Sequence, residues 1–229
     1  MSEQPTIVLL PGLHGTRGLF GPLLEAIPSE YRRVVVGYPG ERVLDAAELL
    51  CYVDELTPRE RPLAIVGERF SGPVATELAA RRGAQVRLLV LAASFVSSPK
   101  PAWLCGLGAI IAGRGPRPLS VVRYWLSVPP ESDELLRQIR VEVSSNHPTV
   151  MASRLRLVAR CDARDALRRC PAPVLYLHAL NDRVVSRRSM ELVRRIRPDT
   201  QIVEFDCGHM ILQVRPREAW GAIAGALAC

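Results

Sequence analysis

Short, unbroken apolar runs alternate along this chain with longer stretches in which apolar residues return every three to four positions. These are the signatures of buried parallel strands and of amphipathic helices. Strands are predicted over Thr6–Leu10, Arg33–Tyr38, Leu63–Val66, Val86–Ala93, Pro173–Ala179 and Gln201–Phe205. Helical spacing covers Leu19–Ile27, Val43–Leu56, Gly72–Arg82, Arg187–Ile196 and Pro216–Leu227, with stops at Pro28, at Thr57-Pro58 and at Gly83. The rhythm breaks from Phe95 to Cys170, where Lys100–Ala112, Leu119–Val128, Ser132–Ser144 and Pro148–Arg160 all have helical spacing and no strand intervenes. Six strands joined by helices imply an α/β fold, a doubly wound and mainly parallel six-stranded sheet with right-handed crossovers. Within a single domain spanning 1–229, residues 98–170 are expected to form a helical lid inserted after the fourth strand. It would lie over the carboxyl ends of the strands, where open α/β sheets place their sites.

One stretch organises the rest. Leu63 to Ala75, LAIVGERFSGPVA, runs from a buried strand through a tight turn into a helix opening at Ser71 or Gly72. Gly67-Glu68-Arg69-Phe70-Ser71, followed by Gly72, fits the G-x-S-x-G frame of a strained strand-to-helix turn, except that Arg69 stands at its apex in place of serine. Three further stretches accompany it: LLPGLHGT (Leu9 to Thr16) after the first strand, LNDRVV (Leu180 to Val185) after the fifth, and DCGH (Asp206 to His209) after the sixth. Taken together and in this order, they make the chain resemble a compact α/β-hydrolase of the esterase and lysophospholipase-like group over essentially its whole length. The resemblance implies that Arg69 occupies the nucleophile position, Asp182 that of the triad acid and His209 that of the triad base. It also implies that the backbone N–H groups of Leu13 and Phe70 form the oxyanion hole.

The chemistry can be stated without the family. Acyl transfer needs a nucleophile, a base to take its proton, an acid to orient that base, and donors for the oxyanion. His209 follows a strand, with Gly208 freeing its backbone, and Asp182 is the carboxylate placed to hold its other ring nitrogen. Arg69 breaks the set, because a guanidinium stays protonated and offers no lone pair for attack. Ser71 is the alternative nucleophile to weigh, yet it lies two residues beyond the apex, where its hydroxyl is expected to point into the start of the helix. Ser94 and Ser97 are placed to shape the hinge of the lid. The pocket is expected to be lined by His14, Ser94, Trp103 and Trp125, with Thr16 also in the loop. His178, inside a strand, reads as a core histidine, and His147, before a proline, as part of a helix start.

Three accounts of Arg69 stay open: a natural pseudo-hydrolase that binds without turnover, a substitution in an otherwise working esterase, or a mechanism in which His209 and Asp182 act on water. An arginine beside oxyanion donors and a helix N-terminus would make the pocket an anion site, suited to a carboxylate, phosphate or sulfate more than to a neutral ester, and a pseudo-hydrolase would bind an anionic or acyl ligand there. Asp182 and Glu68 are the available counter-charges, and an internal ion pair of Arg69 with Asp182 is the plainer alternative.

Composition adds limits. The net charge of +7 is concentrated between Pro99 and Pro173, where Lys100 and eleven arginines face six carboxylates. That segment is either a solvated helical surface or a basic face for an acidic carrier protein or anionic lipid. The basic residues lack interleaved aromatics, so no nucleic-acid partner is expected. Six cysteines are scattered without metal-site spacing, and the chain opens on a strand pattern with no basic leader, which suggests a cytoplasmic protein. No apolar run is long enough for a transmembrane segment. No phosphate loop, dinucleotide fingerprint or metal-ligand spacing occurs, so no cofactor is expected.

Overall fold

In the computed structural model of the chain, residues 4–99, 119–129 and 132–228 are described. The strands are β1 (Thr6–Leu10), β2 (Arg33–Val35), β3 (Leu63–Glu68), β4 (Val86–Ala92), β5 (Val174–Ala179) and β6 (Gln201–Phe205). They form one six-stranded sheet in the order β2-β1-β3-β4-β5-β6, every neighbouring pair parallel. β1 is buried at all five positions, so alternation along it decides only which face each side chain serves. Val8 and Leu10 join the core under helices α2 (Ala46–Leu56) and α3 (Gly72–Arg82) and under helices Arg164–Arg169 and Arg187–Ile196. Ile7 and Leu9 join the opposite core, under α1 (Gly21–Ala26) and helix Pro216–Ala228.

Several element bounds differ from the sequence pattern for identifiable reasons. α2 starts at Ala46, not Val43, because Asp45 and Glu48 close a capping box, each carboxylate accepting the other's backbone N–H at 2.8 Å. Such a box contributes about 1 kcal/mol and outweighs apolar spacing at a helix start. β2 is an edge strand paired only with β1 and stops at Val35. Beyond it the chain bends so that the Tyr38 N–H reaches the Gly15 carbonyl at 2.6 Å. Helix Arg164–Arg169 was not expected. Its six residues are too few to show a period, and it is held by burying Ala166 and Leu167.

The chain leaves β1 toward β2 on one side and returns to β3 on the other, so the winding reverses at the carboxyl ends of β1 and β3. Open α/β sheets open a crevice at such a point. The loop after β1 and the turn after β3 meet there. Between β4 and β5 the described helices are Leu119–Leu126, Asp133–Ser144, Pro148–Arg160 and Arg164–Arg169. The expected helix Lys100–Ala112 lies outside the described residues. Leu19, Val128, Leu136, Ile139 and Met210 form a third apolar cluster, which seats this helical segment on the loops following β1 and β6. No helix among the described residues is long and apolar enough to cross a membrane.

Candidate active site

β3 continues to Glu68, two residues past the apolar run, and passes through a single tight turn, Arg69–Ser71, into α3. Arg69 has φ 52°, the left-handed region that side-chain-bearing residues seldom occupy. The strained apex is therefore kept although its residue is not a serine. Small neighbours make the turn possible. A Cβ on Gly67 would lie 2.6 Å from the Ala75 Cβ and 3.0 Å from the Ser71 carbonyl, and one on Gly72 would lie 2.0 Å from the Ser94 Oγ. Ser94 is fully buried and donates its hydroxyl to the Arg69 carbonyl. Its side chain is thus not the pocket wall the sequence suggested but a pin that holds the turn from the end of β4.

The Arg69 guanidinium folds inward and is 8% exposed. Its Nη2 donates to Glu68 Oε1 and, at 2.9 Å, to Gln213 Oε1. Glu68 is 1% exposed, with Oε2 accepting the Gly12 N–H at 3.3 Å and Oε1 accepting Gln213 Nε2 at 2.8 Å. Of the two counter-charges the sequence offered, Glu68 and not Asp182 pairs with Arg69. Adjacent residues of a strand face opposite sides, but the left-handed apex turns Arg69 back toward its predecessor. Removing one member of such a buried pair costs about 3–5 kcal/mol, because the other charge is left uncompensated.

Asp182 serves the histidine instead. His209 Nδ1 and Asp182 Oδ2 are 2.7 Å apart, and Asp182 Oδ1 accepts the N–H groups of Val184 and Val185 at 2.7 and 2.9 Å. Burial alone would raise the Asp182 carboxyl; the His209 charge and these hydrogen bonds hold it below its usual range. The His209 loop is close-packed, its N–H donating to the Leu126 carbonyl at 3.0 Å. A Cβ on Gly208 would meet the Ser127 carbonyl at 2.4 Å. With Nδ1 engaged by Asp182, Nε2 is the ring nitrogen left to act as a base. Among the described residues nothing hydrogen-bonds that nitrogen. Ser71 does not: its fully buried hydroxyl is spent on the Pro11 carbonyl and on the Tyr38 hydroxyl, 2.5 Å away.

The loop after β1 brings further donors. The N–H groups of Leu13 and Phe70 donate to no described residue. His14 is 4% exposed, and its Nδ1 accepts the Thr16 N–H at 3.1 Å with Thr16 Oγ1 at 2.7 Å. Burial, and then the Arg69 charge, push the imidazole down to about 4, so His14 is neutral and carries its proton on Nε2. Arg154, from helix Pro148–Arg160, ties this loop down. Its Nη1 donates to the carbonyls of Leu13 and His14 and to Asn146 Oδ1, and its Nη2 donates to the Pro39 carbonyl, all at 2.8–3.0 Å. Burial lowers it to about 10. Neither Arg154 nor Gln213 was singled out from the sequence. Both break an apolar pattern, Arg154 at helical spacing from Val150, Met151, Leu157 and Val158, and Gln213 inside MILQV. A polar residue at such a position is a buried group with partners to find.

Other expected wall residues lie elsewhere. Trp125 is 51% exposed and packs edge-on against Tyr124, so it faces outward, and Trp103 lies outside the described residues. His178 is buried in β5, and His147 caps helix Pro148–Arg160 by accepting the Thr149 N–H. Much of the basic character of the segment after β4 is cancelled locally. Arg123, Arg137, Arg164 and Arg168 pair with Asp133, Glu134, Asp162 and Asp165, while Arg140, Arg156, Arg160 and Arg169 are exposed and form no ion pair with a described residue. Among the described residues no group of three or more His, Cys, Asp or Glu side chains is placed to hold a metal ion.

Residues 29–213 match the family described as serine aminopeptidase, S33. Among solved structures the chain is similar to a hydrolase from Pseudomonas aeruginosa, at 20% identity and TM-score 0.82, covering 100% of this chain and 92% of that one. An enol-lactonase from Burkholderia xenovorans gives 16% identity and TM-score 0.78, and an esterase from Exiguobacterium antarcticum 17% and 0.78, each covering 100% of this chain and 93% of the other. A curated relative, the AMB antimetabolite synthetase AmbE of Pseudomonas aeruginosa, aligns over 113 residues at 30% identity. That alignment takes in 43% of this chain and 5% of the length of the synthetase.

Proposed function

The chain belongs to the serine aminopeptidase S33 family of α/β-hydrolases, and from that premise we propose that it is related to acyl-ester hydrolases but has its serine route disabled by Arg69. The observation that carries this reading is the state of the turn after β3. Its left-handed apex is intact and the His209–Asp182 pair is made, yet the side chain at the apex is a guanidinium bound to Glu68. A base and its orienting acid without a nucleophile leave only the slow reaction of water, of which an intact oxyanion hole and binding site retain about 10³–10⁴ over solution. Residues 98–170 serve as the lid of a single domain, and a short acyl group enters beneath it. The compartment proposed is the cytoplasm.

The test compares the wild-type chain, Arg69→Ser, and Arg69→Ser with Asp182→Asn on p-nitrophenyl acetate and butyrate, each shown folded by circular dichroism. Arg69→Ser is expected to gain at least about 100-fold in kcat/KM, and the added Asp182→Asn to remove most of that gain. Two folded but inactive serine variants would refute descent from a serine esterase. So would wild-type turnover at the level of Arg69→Ser that His209→Ala abolishes.

A second reading, a protein that binds an anionic or acyl ligand without turning it over, draws on the buried donors around Gly12. An acidic carrier protein or an anionic lipid at the segment after β4 is a weaker extension, resting on Arg140, Arg156, Arg160 and Arg169 alone among the described residues.

A further inference from the structure

The peptide group that joins Pro11 to Gly12, at the start of the loop after β1, is held at both ends by residues of the turn after β3. Its carbonyl accepts the hydroxyl of Ser71, and its N–H donates to Glu68 Oε2 at 3.3 Å. The C=O and N–H of a trans peptide point in opposite directions, so partners on opposite sides fix the plane against rotation. Ser71 is fully buried and Glu68 nearly so, and water does not compete for either bond. The two grips flank Arg69, one residue before the apex and two after it.

Counting protons shows how Ser71 is committed. Its one hydroxyl proton goes to the Pro11 carbonyl, so the Tyr38 hydroxyl, 2.5 Å away, is the donor to Ser71 Oγ. Burial raises the Tyr38 phenol above its usual range, which keeps that proton in place. Ser71 occupies the fifth position of the frame, where G-x-S-x-G has a glycine that could not reach Pro11. The next peptide, Gly12–Leu13, is tied through its carbonyl, which accepts the Gly15 N–H at 3.0 Å. Its N–H, that of Leu13, donates to no described residue and points away from that bond. Two consecutive peptide planes are therefore fixed, and the free donor on the second is aimed by them.

We propose that Ser71 is a positioning residue for the oxyanion donor of the loop after β1: with Glu68 it holds the Pro11–Gly12 peptide and so sets the direction of the Leu13 N–H. This rests on the reading of Leu13 and Phe70 as oxyanion donors in a chain related to ester hydrolases. The grips come from the residues flanking the apex and not from a hydroxyl at residue 69. The donor thus stays oriented whether serine or arginine stands there, and such preset donors stabilise developing charge without reorganising.

The test has two readouts. Amide hydrogen exchange by NMR compares the wild-type chain with Ser71→Ala and Tyr38→Phe. Tyr38→Phe removes the buried phenol and leaves the Ser71–Pro11 bond in place, so it measures a merely structural loss. Ser71→Ala is expected to speed exchange at Gly12 and Gly15 by about ten-fold or more beyond any change at Ile7–Leu10, and Tyr38→Phe is not. The second readout is turnover of p-nitrophenyl butyrate in Arg69→Ser. There, added Ser71→Ala is expected to lower kcat about ten-fold or more at unchanged KM, and added Tyr38→Phe to leave kcat within about two-fold. Unaltered exchange at Gly12 in Ser71→Ala would overturn the assignment. So would an unchanged kcat, a change confined to KM, or a fall in kcat that Tyr38→Phe reproduces. Inert Arg69→Ser would count against the hydrolase reading alone, and exchange at Gly12 and Gly15 would still decide whether Ser71 holds the loop.

Discussion

Replacing His14 by asparagine should remove a specific part of this protein's sensitivity to acid. The folded chain holds His14 at about 4 against an unfolded value of 6.5. Between those values the unfolded chain binds a proton that the folded chain refuses, so stability falls as pH falls. Above pH ~7.5 both states are essentially neutral and the residue contributes almost no pH dependence. Linkage gives a loss of about 2 kcal/mol by pH 5 and about 3 kcal/mol below pH 4. The cause is structural: the ring is sealed, its Nδ1 is committed to Thr16, and Arg69 stands close by. In His14→Asn the side-chain amide oxygen would accept the Thr16 N–H without titrating. His178 and Asp182 are also lowered and act in the same direction, so the assay is a difference. Urea unfolding of both proteins at pH 7.5, 6, 5 and 4.5 gives ΔΔG at each pH. The stability of the wild type relative to the variant should drop by about 2 kcal/mol from pH 7.5 to 5. A difference that stays flat across that range would refute the burial and tautomer assigned to His14, whatever its absolute size.

Two further outcomes follow from the same packing. Arg154→Met strips the Leu13 and Pro39 carbonyls of a charged donor, while the His14 carbonyl keeps Asn146 Nδ2 at 2.7 Å. A loss of about 2–4 kcal/mol is expected, net of the relief from no longer burying a charge, with faster amide hydrogen exchange at residues 12–16; unchanged exchange there would show that Arg154 does not hold the loop. Gly67→Ala drives a methyl to 2.6 Å from the Ala75 Cβ and should cost about 3 kcal/mol, seen as a fall in Tm of about 5–10 °C. A Tm within about 1–2 °C of wild type would mean that the turn after β3 is looser than its geometry implies.

The order of strands and helices, the frame of the turn after β3, and the Asp182 and His209 loops were all legible in the chain itself. Each is local: a run of apolar residues, a glycine that a tight turn requires, or a carboxylate and an imidazole at the carboxyl ends of neighbouring strands. Tertiary structure decided which partner each charge took. Glu68 was one of two counter-charges open to Arg69, and the backbone angle at Arg69 selected it. Gln213 reaches the same pair across 144 residues, and Arg154 reaches Leu13 across 141. Sequence spacing cannot encode such meetings, because they depend on strand order and on how the segment after β4 folds back over the loop after β1. Periodicity fixes which face of an element is apolar; only the closed sheet brings a polar side chain on that face to the one group that can satisfy it.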